Sequence, residues 1–234
     1  MALQSPVVAA TEQDKLMGAD REVTLLQKLY QVDLGVARAI FQAFEGNRIA
    51  FYVLEFVSLT GDGILWLLTV LPLLIVAWVF GFMKTITPGQ GLFIVFFYLC
   101  QVVDIVFIII FKLMFRRARP PHHKTDARFA GPDQHSFPSG HSTRSFCLVG
   151  LIFYLAAYYP KALHDTLGAW AVKGMPVVVV VWATAICFCR LALGRHYPTD
   201  VLAGSVLGVL LEFPVAAVLI PYIAPTLLKG AASV

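Results

Sequence analysis

Long apolar runs constrain this chain more than any other feature of its sequence. They occupy residues 64–83, 91–115, 142–159, 175–193 and 201–223. Each is close to the roughly 20 residues that an α-helix needs to cross a bilayer. With 59% hydrophobic and only 14% charged residues, the composition excludes an ordinary soluble domain. The sequence therefore predicts an all-α integral membrane protein, a helical bundle with five transmembrane helices.

The segment before the first run has a different pattern, with apolar side chains at every third or fourth position between residues 23 and 44. These are Leu25, Leu29, Val32, Val36, Ile40 and Phe44. The spacing indicates an amphipathic helix, and its charged residues prevent it from spanning. Such a helix can lie in the membrane interface or pack against the rest of the protein, and both interpretations stay open. Residues 49–59 are apolar but short and contain Glu55, which leaves a sixth crossing open.

Four regions follow from this pattern. We expect a flexible N-terminus at residues 1–22, amphipathic or interfacial helices at 23–60, the membrane domain at 61–225 and a C-terminal tail at 226–234. Because residues 1–20 contain no apolar core of a signal peptide, an internal transmembrane helix is expected to act as the targeting signal.

The distribution of charge and the positions of the cysteines argue against a nucleic-acid-binding protein and against a zinc site. The net charge of +4 is modest, and the basic residues form no stripe with interleaved aromatics, so we expect no nucleic-acid partner. The cysteines all fall in apolar segments without zinc-site spacing and are expected to be buried free thiols. They are Cys100, Cys147, Cys187 and Cys189.

Three polar motifs stand at the ends of the apolar runs. They are Lys112-x6-Arg119-Pro120, Pro138-Ser139-Gly140-His141 and Arg190-x5-His196-x3-Asp200. The first lies at the end of the second predicted span, the next begins where the third span starts, and the last lies at the end of the fourth. Counting crossings therefore places all three motifs on one side of the membrane.

The first motif supplies positive charge. Lys112 and Arg119 are seven residues apart, so on a continuing helix that Pro120 ends they would share a face. An arginine fork can bind two phosphate oxygens, and lysine adds a point charge. Arg116 and Arg117 are expected only to extend to the interface, as basic residues beside a span often do.

The second motif precedes an apolar helix and suits an anion. Gly140 lets the backbone turn closely around a phosphate, the free N–H groups of a helix start favour negative charge, and Ser139 adds a hydroxyl donor. His141 is placed to protonate a departing oxygen as a general acid. A simple N-capping turn is the alternative interpretation.

The third motif pairs a histidine with a carboxylate. Asp200 is spaced to contact one imidazole nitrogen of His196, which leaves the other nitrogen free as a nucleophile. We expect Lys112, Arg119 and Arg190 to disfavour protonation of His196 and to stabilise charge on a pentacoordinate phosphorus.

Together the three motifs resemble the signature of the type 2 phosphatidic acid phosphatase (PAP2) superfamily of membrane lipid phosphatases. Through residues 112–120, 137–144 and 190–200, the chain is most similar to the polyisoprenoid diphosphate phosphohydrolases of the presqualene diphosphate phosphatase type. One departure is Cys189, which stands where the family usually has serine.

The resemblance implies a metal-independent hydrolysis without a cofactor. His196 would attack phosphorus to give a phosphohistidine, Asp200 would orient it, and His141 would protonate the leaving group. The phosphate oxygens would be held by Lys112, Arg119, Ser139, Gly140 and Arg190. Farnesyl, geranylgeranyl or presqualene diphosphate would be the substrate, at the endoplasmic reticulum or nuclear envelope of a eukaryotic cell. Membrane lipids are the expected surroundings, and a homo-oligomer stays open.

Other functions also fit parts of the sequence. A broad phosphatidate or diacylglycerol pyrophosphate phosphatase is the main alternative, followed by a lipid-binding scaffold with a retired site, a vanadium haloperoxidase and a transporter. Asp104 and Glu212 lie within predicted spans, where we expect internal pairing and not catalysis. The loop histidines are expected to be solvated, although the first three could line the mouth of the site. They are His122, His123, His135 and His164.

Overall fold

A computed structural model of the protein describes residues 25–81, 85–122 and 134–232. Within these ranges all regular secondary structure is helical, as the apolar periodicity predicts. The predicted flexible N-terminus at 1–22 and His123 lie outside the described residues.

The helices follow one another with short connections, except for the long connection between Phe115 and Gly140. They are α1 (Leu25–Phe44), α2 (Arg48–Leu59), α3 (Gly63–Val79), α4 (Pro88–Phe115), α5 (Gly140–Tyr158), α6 (Pro160–Leu167), α7 (Ala171–Ala192), α8 (Pro198–Leu207), α9 (Phe213–Ile223) and α10 (Pro225–Ala232). A π-helical segment, Gly208–Glu212, joins α8 to α9, so the two form one continuous rod.

Three helices are individually long and apolar enough to cross a membrane: Pro88–Phe115, Ala171–Ala192 and Pro198–Ile223. Two further crossings are reached only if each of two bent pairs counts as one span. The pair α2 and α3 is bent by 57°, and the pair α5 and α6 by 108°. The five predicted spans thus correspond to a structural count of three to five. Residues 49–59 enter this count as one arm of the first pair and not as a separate sixth crossing.

Helix α5 lies at the centre of the bundle, packed against α4, α7 and α8. Two glycines of the last rod allow the closest approach. A Cβ at Gly204 would lie 2.8 Å from the carbonyl oxygen of Ser139, and one at Gly208 would lie 2.2 Å from that of Thr143. Because both obstacles are backbone atoms, a side chain at either position would force the two helices apart.

An ion pair inside the bundle connects α4, α5 and the break between α2 and α3. The Arg144 guanidinium donates to Asp104 at 2.5 Å and to the carbonyl oxygen of Gly61 at 3.2 Å. Thr143 donates a second hydrogen bond to Asp104, at 2.6 Å. The internal pairing predicted for Asp104 is therefore present. Glu212 is likewise fully buried, beside Asp104.

Helix α1 lies against α7 and α8 through a face that only partly coincides with its apolar stripe. Asp33 and Ala37 point inward and are buried. Leu25 and Val32, on the apolar face, are 72% and 65% exposed. The helix therefore does pack against the protein, with Ile40 and Phe44 at the C-terminal end of the stripe against the apolar cluster around Leu54. The N-terminal part of the stripe stays exposed.

The close contact between α5 and α8 makes Gly208→Ala a specific test of this packing. We expect Gly208→Ala to lower stability by about 1–3 kcal/mol, because the new methyl group overlaps the backbone of α5. Thermal unfolding of the purified protein in detergent measures the change.

Gly35→Ala is the matched control, since the structure places nothing within 4 Å of its Cβ on the exposed side of α1. It should leave the melting temperature unchanged or raise it. An equal effect of the two substitutions would contradict the packing of α5 against α8.

Candidate active site

The site is centred on His196, in the connection between α7 and α8. Gly194 (φ 67°) allows the chain to reverse there, and Pro198 starts α8. The His196 side chain is buried, with its Nδ1 at 2.8 Å from the carbonyl oxygen of Ser136. Because a carbonyl can only accept, Nδ1 carries the proton and Nε2 keeps its lone pair.

Asp200 lies one helical turn after His196 but is not its nearest partner. The distance from His196 Nδ1 to Asp200 Oδ2 is 3.6 Å, longer than the hydrogen bond to Ser136. The predicted tautomer results, but the main hydrogen-bond partner is a backbone carbonyl and not the carboxylate. Asp200 Oδ2 accepts from the backbone N–H of Tyr197 at 2.9 Å.

The Pro138–His141 turn is held directly against this histidine and carboxylate pair. The backbone N–H of Ser139 donates to the carbonyl oxygen of Asp200 at 3.1 Å, and Ser139 is fully buried at the start of α5. The hydroxyl of Ser139 makes no capping bond and is 2.9 Å from that of Ser142. His141, in the first turn of α5, lies within electrostatic range of Arg190 and His196.

The predicted cations surround His196. Lys112 and Arg190 are buried, and the Arg190 guanidinium donates to the hydroxyl of Ser58 at 3.0 Å. Burial lowers the pKa of His196 well below its usual value of 6.5, and the positive charges of Arg190, Arg119 and Lys112 lower it further. The direction is the one that the sequence predicts, and it keeps the imidazole neutral near neutral pH.

The backbone of the first motif is helical over a shorter range than the sequence predicts. Helix α4 ends at Phe115 because Arg116 adopts a left-handed conformation with φ 46°. Arg119 is therefore not on the same helical face as Lys112. It reaches the site from the following loop, where its guanidinium is 3.4 Å from the carbonyl oxygen of Arg195.

The prediction that Arg117 only extends to the interface is wrong. Its guanidinium turns inward, donating to Asp200 at 2.7 Å and to Asp33 at 2.6 Å. Arg117, Asp33 and the carbonyl of Ser136 are the residues at this site that sequence reasoning missed. Arg117 lies inside the first motif, and Asp33 is the one acidic residue of α1. A backbone carbonyl leaves no signal in the sequence.

The remaining predicted candidates lie in apolar or exposed surroundings. His122 stacks on Phe41, with ring centroids 4.9 Å apart, and His164 is exposed on α6. Cys189 packs with Leu54, Ala192 and Leu193 in a small apolar cluster. All four cysteines are buried free thiols, as predicted.

Comparison with known proteins agrees with this arrangement. The profile of the PAP2 superfamily matches residues 91–222. The chain belongs to the PAP2 superfamily. All three polar motifs lie within the match, whereas α1 with Asp33 precedes it.

Two curated relatives of the chain are named for different phosphatases. The chain is 36% identical to the "Probable lipid phosphate phosphatase beta" of Arabidopsis thaliana over 53% of its own length and 64% of the plant protein. It is 33% identical to the "Decaprenylphosphoryl-5-phosphoribose phosphatase" of Mycobacterium tuberculosis, over 43% of the chain and 46% of the relative. The chain thus spans less than two thirds of the length of these curated relatives.

A solved structure has the same fold. The transmembrane PAP2-type phosphatidylglycerolphosphate phosphatase from Bacillus subtilis superposes with a TM-score of 0.57 at 21% identity, covering 92% of this chain and 96% of that one. With this fold and its apolar helices, the PAP2 chain is an integral membrane protein.

The electrostatic surroundings of His196 lead to a pH prediction. Since its pKa is lowered, the imidazole should stay neutral as the pH falls through 6.5. Nitrogen NMR of ring-labelled protein in detergent measures this titration, with His196→Gln to assign the signal.

In Arg190→Gln the pKa of His196 should rise toward its usual value, because Arg190 lowers that pKa more than either of the other neighbouring cations does. Titration of His196 in the unmodified protein at or above pH 6.5 would contradict this account of the site.

Proposed function

We propose that this PAP2 protein hydrolyses the phosphate or diphosphate group of an amphiphilic lipid. The observation that carries the proposal is the state of His196. Its Nδ1 proton is held by the Ser136 carbonyl, its Nε2 lone pair is free, and Lys112, Arg119 and Arg190 lie around it. A neutral imidazole among fixed positive charges suits attack on an anionic phosphorus centre.

In the proposed reaction, Nε2 of His196 forms a bond to phosphorus while the bond from phosphorus to the leaving oxygen breaks. His141 gives a proton to that oxygen as general acid. Water then attacks the phosphohistidine, His141 accepts a proton from the water, and the bond between phosphorus and nitrogen breaks to release phosphate. Asp200 holds the imidazolium-like intermediate from the Nδ1 side, where it lies 3.6 Å away.

Phosphate oxygens would be bound by the three cations and by the turn of the second motif. Lys112 and Arg190 are buried and therefore act through a low dielectric, which strengthens their attraction for phosphate. Ser139 and Gly140 add a hydroxyl and the N–H groups at the start of α5. No metal is needed in this scheme, because these groups supply the charge.

An apolar groove supports a lipid substrate. It has a volume of about 390 Å³ and runs between α4 and α8 beside the site. Phe137 and Thr199, next to the second motif and to Asp200, form one end of its lining, which continues along apolar side chains. These are Phe111, Phe115, Leu202, Ala203, Val206 and Leu207. The groove can take a hydrocarbon chain while the phosphate lies at His196.

Polyisoprenoid diphosphates are the proposed substrates. The resemblance of the three motifs supports them, and the mycobacterial relative is named for a polyprenyl-linked substrate. The plant relative is named only as a lipid phosphate phosphatase, so phosphatidate and diacylglycerol pyrophosphate form the second candidate class. The proposal includes α1 as an interfacial helix, since its exposed stripe of Leu25, Leu29, Val32 and Val36 suits the acyl boundary of a bilayer.

A substrate panel tests the proposed function. The purified protein in detergent with EDTA should release phosphate faster from farnesyl and geranylgeranyl diphosphate than from phosphatidate or diacylglycerol pyrophosphate. Removal of the nucleophile in His196→Ala should abolish release, by a factor of about 10³ or more.

Each other outcome has a distinct meaning. Activity that persists in His196→Ala would overturn the phosphohistidine mechanism, and a requirement for divalent cations would overturn metal independence. A preference for glycerolipids would favour the second substrate class. Binding without turnover in the unmodified protein would favour a lipid-binding scaffold.

The general acid has its own test, based on the leaving group. His141→Asn should slow hydrolysis of an alkyl phosphate by about 10²–10³-fold, within the usual range for a general acid. Measured as kcat/KM, which covers only the steps up to departure of the leaving group, the loss should be much smaller for p-nitrophenyl phosphate, whose leaving oxygen needs no proton. Equal losses with both substrates would show that His141 binds phosphate and does not donate a proton.

A further inference from the structure

Asp33 makes contacts that helix packing alone does not require. It lies in the middle of α1 with 6% of its surface exposed. Its Oδ1 accepts from the backbone N–H of Thr199 at 3.0 Å, and its Oδ2 accepts from the Thr199 hydroxyl at 2.5 Å and from Arg117 at 2.6 Å. All three donors belong to the segments that form the active site, and none to α1 itself.

Arg117 joins this carboxylate to the one beside the nucleophile. One terminal nitrogen donates to Asp33, while the other donates to Asp200 Oδ1 and to the Thr199 hydroxyl, each at 2.7 Å. The guanidinium carbon also lies 3.9 Å from the centre of the Tyr197 ring. The planar fork is thus fixed along one edge by two carboxylates and across its face by an aromatic ring.

The orientation of Asp200 depends on this fork. Its Oδ1 is held by Arg117 and its Oδ2 by the N–H of Tyr197, which together set how the carboxylate faces His196. The Arg117 side chain is 25% exposed, so water can replace its contacts if nothing retains it. Asp33 retains it, because its carboxylate accepts from the terminal nitrogen that Asp200 does not bind.

We propose that Asp33 is a positioning residue for the nucleophile. It holds Arg117, Arg117 holds Asp200, and Asp200 with the Ser136 carbonyl fixes the imidazole of His196. Helix α1, which precedes the residues that the PAP2 profile matches, is then part of the active site. The effect on rate rests on the proposed phosphatase function, whereas the effect on the state of His196 does not.

Asp33→Asn is the direct test, because it keeps the size of the side chain and removes its charge. We expect kcat on the best lipid substrate to fall about 10–100-fold, the size of loss seen when the partner that orients a metal ligand is removed. KM should change less than about threefold, since Asp33 lies behind Asp200 and not at the phosphate-binding groups. The nitrogen NMR signal of His196 Nδ1 should shift in the same variant.

A double-mutant cycle separates positioning from helix docking. Arg117→Met should lower kcat by itself, and Asp33→Asn added to it should cause little further loss, because the link is already broken. Glu45→Gln is the control for charge, since Glu45 is an exposed carboxylate directly after α1. It should leave kcat, KM and the His196 signal unchanged.

Thr199→Val provides a second variant in case Asp33→Asn does not fold. It removes the hydroxyl that donates to Asp33 and accepts from Arg117, so it should lower kcat in the same way but by a smaller factor. The proposal is overturned if neither variant changes kcat or the His196 signal, or if the losses in the cycle are fully additive. A loss confined to thermal stability or to KM also overturns it.

Failure of the proposed function gives a different pattern. If the unmodified protein releases no phosphate from any lipid, the phosphatase proposal fails, while the His196 signal still reports on the link. A shift in Asp33→Asn, absent from Glu45→Gln, then supports the link to Asp33. The absence of a shift in Asp33→Asn would overturn it.

Discussion

The close approach of α5 to α8 is the constraint on which the rest of the structure depends. Gly204 and Gly208 leave room for backbone against backbone, and Ser139 then donates its N–H to the carbonyl of Asp200. That one contact joins two motifs between which α5, α6 and α7 lie in sequence. Without it the Pro138–His141 turn and His196 would belong to different parts of the bundle, and neither would form a site alone.

A second constraint is the burial of charge at the end of a membrane bundle. Lys112 and Arg190 are nearly inaccessible to water, and His196 stays neutral because burial and these charges both disfavour its protonated form. The negative charge of Asp200 is balanced by Arg117. The arrangement therefore places fixed positive charge around His196 and keeps this proposed nucleophile uncharged, which a solvated cluster of the same residues would not do.

Much of the fold follows from the sequence because lipid imposes simple rules. Apolar runs of sufficient length become helices, since a bilayer offers the backbone no other hydrogen-bond partners. The same rules indicate where the apolar runs end, but they do not give the backbone geometry at the breaks. The bend between α2 and α3 lies at Gly61, whose carbonyl accepts from Arg144. The end of α4 is likewise set by the left-handed conformation of Arg116. Both depend on local geometry that hydropathy does not contain.

The sequence by itself determined the membrane class, the three polar motifs and their location on one face, because residue type and crossing parity are properties of the chain alone. Tertiary structure decided which atoms meet. It gave His196 a backbone carbonyl as its main partner, and it turned Arg117 from the expected interface position inward to Asp200. It also brought Asp33 to the site from a helix far away in sequence. Such contacts depend on packing across helices, where spacing along the chain carries no information.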